Sequence, residues 1–232
     1  MSTRETLAGL ATLVTRMADE PDRFMAESRL AQGLRSAVTA GALDLVPGIV
    51  AALAECRMAR REAALDAGRL TVVTEPFEED VQLDPGLYLL HPPLVVGADA
   101  RRIRLLALEQ KVPVVAVCRE PVTAIGLCPV VAISPGCTIR TKLRPPATWD
   151  DAEAVADWMM EAHDALGDAA VDQLDAELAA SRRLDQLLDR LDAIPEHREL
   201  HEAIAAIVPE AIAEAREDAE SGGRRRRTRQ AS

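Results

Sequence analysis

Aromatic side chains are scarce. Only Phe24, Phe77, Tyr88, Trp149 and Trp158 occur among 232 residues. So few rings argue against a carbohydrate cleft or a base-stacking platform. No apolar run approaches the ~18 residues of a membrane span, so no membrane partner is expected. The first residues include Arg4 and Glu5 and lack the apolar core of a secretory signal. There are four cysteines, Cys56, Cys118, Cys128 and Cys137. Without a signal they point to a reducing, cytoplasmic location. No two of them have the close spacing of structural zinc ligands, so inert buried thiols are expected and no metal is implied. The glycine-rich phosphate and dinucleotide loops, the H-E-x-x-H helix and the G-x-S-x-G elbow are all missing. The sequence thus names neither a cofactor nor a catalytic residue.

What is present is small, aliphatic and charged. Hydrophobic residues make up 48%, and 41 residues are alanine. The net charge of −11 is distributed in blocks. Residues 1–100 carry −6, 101–149 carry +6, 150–220 carry −16, and the tail 221–232 carries +5. The mean field repels nucleic acid, whereas the two basic blocks attract anions. The +6 segment has two candidate occupants, the chain's own acidic block or an external anion.

Periodicity divides the chain into four regions. Residues 1–68 read as helical, with apolar stripes through Leu7–Met17, through Phe24, Leu30, Leu34 and Val38, and through a third helix ending at Gly68. Asp19 is the expected cap of the second helix. In the third, Leu53, Cys56, Ala64 and Leu65 are expected inside, and Arg57, Arg60 and Arg61 on a wet face. Residues 69–147 read as a small α/β domain, with strands at 69–75, 87–93, 112–117, 128–134 and 137–143 and a helix within 95–111. The ten residues joining 112–117 to 128–134 are short for a crossover, so that pair is expected antiparallel. The alternation of 137–143 suits an edge strand. Residues 148–220 read as acidic helices, 149–166 and 168–193, then one after Pro195 and one from Pro209 to about Glu220. The second of these carries a leucine stripe suited to core or to a subunit seam. The Arg-rich tail 221–232 is expected to be disordered. The fold class is therefore α/β, mostly helical: a small Rossmann-like sheet domain flanked by helical regions.

The stretch LYLLHPPLVVGADARRIRLLALEQKVPVVAVCREP (87–121) resembles one strand–helix–strand step of Rossmann-like enzymes. It is similar to the step of the Gfo/Idh/MocA oxidoreductases in which a strand ends in Glu-Lys-Pro. Here the tripeptide is His91-Pro92-Pro93, and only Pro93 matches. It is about as similar to a step of the DNA-processing A and lysine-decarboxylase-like Rossmannoid proteins, whose glycine-rich loop is also missing. The resemblance implies this step of the fold and no activity.

Five residues are the candidate ligand contacts. His91 falls at the carboxyl end of a strand, where open α/β sheets bind ligands. Arg101 and Arg102 stand near a helix start, and Arg140 and Lys142 on one face of a strand. His197 and His201, four apart on a helix, are expected to be solvated. The function expected first is a cytoplasmic binding or regulatory protein acting through helical interfaces, as a homo-oligomer. The alternatives are an enzyme or sensor that binds a phosphorylated small molecule at 101–144, and a DNA-associated protein that touches nucleic acid through its tail alone.

Overall fold

The computed structural model describes Gly9, 22–77 and 81–230, with the side chains of 218, 219 and 221–230 left out. The helix expected over Leu7–Met17 and its neighbour Asp19 lie outside the described residues. Helix α1 spans Arg23–Thr39 and is capped by Asp22, whose carboxylate accepts from Met25 N at 3.2 Å. A short 3-10 turn leads into α2, Val46–Asp66, with proline in its first turn, where the missing N–H costs nothing.

Five strands follow in one sheet: β1 Leu70–Val73, β2 Gly86–Leu90, β3 Val114–Arg119, β4 Cys128–Ile133 and β5 Thr138–Leu143. Their order is sequential. β1, β2 and β3 run parallel, and β4 and β5 are antiparallel to their neighbours. The short 120–127 connection cannot carry a crossover, so it turns back as a hairpin. Helix α3, Gly97–Gln110, makes the crossover from β2 to β3. Its Asp99 carboxylate accepts from Val96 N at 2.8 Å, which satisfies a donor at the helix start. Gly97 lets that start press onto β4, where a Cβ would lie 2.7 Å from Ile133 Cδ1.

The sheet is covered on both faces, as its continuous apolar strands require. Tyr88, Leu90, Val114, Ala116 and Cys118 pack with α3. Leu87, Leu89, Val115, Val117, Val130 and Ile139 pack with the helices on the other side. Those helices are α1, α2, α4 (Ala152–Asp172), α5 (Ala180–Ala193) and α6 (Arg198–Gln230). One core therefore draws on the N-terminal helices, the sheet and the acidic C-terminal region. No helix among the described residues is long and apolar enough to cross a membrane.

The C-terminal helices differ from the expected boundaries. α4 continues through Gly167 to Asp172, because the glycine lies against the His197 ring and contact with that ring needs a residue without a side chain. The leucine stripe is consequently split, and Leu184, Leu187 and Leu191 of α5 are 1–2% exposed inside the chain's own core. Pro209 sits within α6 instead of starting a helix. Ile204, Val208 and Ala211 are buried on both sides of it, so packing outweighs the lost backbone bond. The α6 backbone continues through 221–230, where composition predicts disorder.

Candidate anion-binding cleft

Helix α2 buries arginines. Leu53, Arg57, Arg60 and Ala64 follow one another at four, three and four residues, a single helical stripe, and all are at most 6% exposed. The wet face expected for Arg57 and Arg60 is therefore corrected. Conversely Leu65, expected inside, is 38% exposed. Burying two guanidiniums requires compensation. Glu27 of α1 provides part of it, accepting from Arg57 Nε at 3.0 Å and from Arg60 Nη2 at 3.2 Å. Glu196, in the turn between α5 and α6, accepts from Arg60 Nη2 at 2.6 Å. Its other oxygen is 3.4 Å from His163 Nε2 of α4. Five separate pieces of chain thus meet in one buried ionic network, with Arg57 Nη1 3.4 Å from His201 Nε2 of α6. Arg60 Nη1 remains without a hydrogen-bond partner.

These contacts set the protonation states. Burial works against the Glu196 carboxylate, but the Arg60 charge and the His163 contact outweigh it and hold its pKa well below the usual range. Burial also works against a charged His163, yet its contacts with Asp164 and Glu196 prevail and raise its pKa. His201 goes the other way, pushed down to about 4 by burial and by the charge of Arg57. His197 and His201 are both 2% exposed, which corrects the expectation of solvated histidines.

The network opens onto a cleft of about 250 Å³ between α1, α2, α3 and the α5–α6 turn. β4 pairs with β3 only at Cys118 and Arg119. Arg104 of α3 spans the seam, donating to the Ile133 carbonyl at 3.1 Å and to the Ala193 carbonyl. Arg101, one turn earlier, faces the same cleft, as does Arg35 of α1, which pairs with Asp192. Arg35, Arg57, Arg60, Arg101 and Arg104 therefore surround the cleft. Opposing them are Glu27 and Asp192 in the wall and Glu196 behind Arg60. The surplus is two positive charges.

Of the five candidate contacts, only Arg101 lines this cleft. Arg102 donates to the Phe77 carbonyl at 3.1 Å. Arg140 pairs with Glu120 at 3.2 Å, and Lys142 is exposed on the edge strand. His91 does stand at the carboxyl end of β2. Its two ring nitrogens lie 2.8 and 2.9 Å from Arg119 Nη2, and the Arg119 guanidinium sits 4.2 Å above the Trp149 ring. Burial and the Arg119 charge lower the His91 pKa. Cys118 faces α3 while Cys128 faces the helices on the opposite side, so these thiols do not converge. Burial pushes the Cys118 thiol up to about 12. Sequence reasoning missed Glu27, Arg57, Arg60 and Glu196. For the two arginines the signal was readable, since they continue the Leu53–Ala64 stripe.

No family model, curated protein or solved structure matches the chain. The fold and the cleft together define an α/β protein with an arginine-lined cavity.

Proposed function

We propose that this chain is a binding protein for a small anionic molecule held in the arginine cleft. The observation that carries the reading is a charge imbalance in a confined space. Five guanidiniums meet three carboxylates around about 250 Å³, and buried Arg60 retains an unpartnered Nη1. Guanidinium forks suit carboxylate or phosphate oxygens better than any other cationic side chain does. The ligand reading takes precedence over helical interfaces because Leu184, Leu187 and Leu191 of α5 lie in the chain's own core.

The test is thermal melting in sodium phosphate against sodium chloride of equal ionic strength. A bound anion raises the melting temperature with concentration as mass action requires. The rise should be lost in Arg101→Met, a side chain at the rim and outside the buried network. Equal melting in phosphate, carboxylate and chloride salts would refute the cleft as a binding site.

A further inference from the structure

We infer that the anion is a compact dianion, a phosphate monoester on a short aliphatic body, and that Asp192 competes with it for Arg35. The inference rests on the anion-cleft reading and deepens it. Three observations narrow the ligand. The surplus of two positive charges is matched by one doubly charged group. The volume of about 250 Å³ lies below the ~300–1,000 Å³ of ordinary ligand pockets, so the body attached to that group is short. The wall contains no aromatic ring, hydroxyl or amide side chain. A nucleobase would find no aromatic ring to stack on. Leu105, Leu108, Pro135 and Pro195 offer an apolar lining instead, which suits a short hydrocarbon chain.

Three arginines of the cleft are candidate donors. Arg60 lines the cleft, and its Nη1 is buried without a hydrogen-bond partner. Arg101 makes no hydrogen bond or ion pair among the described residues, although it lines the cleft. Arg35 is held by Asp192, but its side chain is 65% exposed and that of Asp192 32%. A pair so exposed is weak. A dianion within reach would compete with Asp192 for Arg35, with Arg101 beside it on α3.

The experiment is titration calorimetry at pH 8 with four probes: ethyl phosphate, ethyl sulfate, succinate and acetate. Ethyl phosphate and ethyl sulfate share shape and differ by one charge. The expected result is ethyl phosphate bound at least about tenfold tighter than ethyl sulfate, the equivalent of one charge-assisted hydrogen bond. Asp192→Asn, which removes the competing carboxylate, should tighten ethyl phosphate binding. Arg101→Met should weaken it without lowering the melting temperature of the free protein. Equal binding of the two esters, or tighter binding of succinate, overturns the dianionic monoester and leaves the anion cleft standing. Unchanged affinity in Asp192→Asn overturns the role of Asp192. No binding of any of the four probes overturns the cleft reading itself.

Discussion

Replacing Glu196 by alanine should be the most damaging single change to the ionic network. The Glu196 side chain is 2% exposed, accepts from Arg60 at 2.6 Å and faces His163 at 3.4 Å. Its loss leaves Arg57 and Arg60 both leaning on Glu27, with an uncompensated guanidinium in the interior. Breaking one partner of a buried pair typically costs about 3–5 kcal/mol. His163 can shed its proton once Glu196 is gone, and the neighbouring cleft admits water, so the lower end, about 3 kcal/mol, is expected. For a chain of this length that corresponds to a fall of roughly 6–12 °C in melting temperature. Calorimetry and urea unfolding give the two readouts. The double variant Glu196→Met, Arg60→Met supplies the second arm. It removes both charges and fills their space with apolar atoms, so it should be more stable than Glu196→Ala. A single variant within about 1 kcal/mol of the parent would mean that the bridge contributes no more than a surface pair, and the account of the network would fail.

Two further outcomes are expected. His201 has its pKa pushed down to about 4 from an unfolded value of 6.5, so the folded state rejects a proton that the unfolded chain accepts. That contribution is complete above pH 6.5, is lost as pH falls toward 4, and amounts to about 3 kcal/mol. Urea unfolding of the parent and of His201→Phe across that window should show a shallower pH slope in the variant, and parallel slopes would refute the assignment. Gly167→Ala would ordinarily stabilise a helix interior by about 1 kcal/mol. Here the new methyl overlaps the His197 ring, so a net loss of about 1–3 kcal/mol is expected, and a raised melting temperature would contradict the packing.

The legible parts of the fold are those that hydrophobicity alone specifies. The runs 112–117 and 128–134 announce strands covered on both faces, and the alternation of 137–143 announces an edge. The ten-residue connection between the first two correctly implies an antiparallel return. Legibility ends where charge and periodicity disagree. Arg57 and Arg60 occupy the inner stripe of α2, His201 is buried on α6 and His197 is buried in the turn before it, although charge alone predicts all four outside. Their partners Glu27 and Glu196 come from distant segments, so no local pattern could reveal that these cations would be neutralised. The cleft was beyond reach for a related reason. Its lining comes from three helices, the loop at Pro135 and the α5–α6 turn, which meet only in the folded chain. Gly167 reads as a helix break, and becomes a close contact only when His197 arrives from thirty residues on.

The meeting of Arg57 with His201 joins positions 144 apart in sequence. On a growing polypeptide the inner face of α2 emerges long before α6, carrying two guanidiniums whose surroundings are incomplete. The sheet can begin to zip as it appears, but the layer behind it cannot dry until the last helix arrives. Contacts this remote slow folding, because the entropy of closing the intervening chain is lost before any contact repays it. Synthesis therefore passes through a period in which the apolar sheet face has only part of its cover, the stage at which such chains most readily stick to one another. The arginines on α2 have a second consequence at that stage. While the face is still wet these charges favour its hydration, and the network that buries them is complete only once Glu196 and His201 of α6 have followed Glu27.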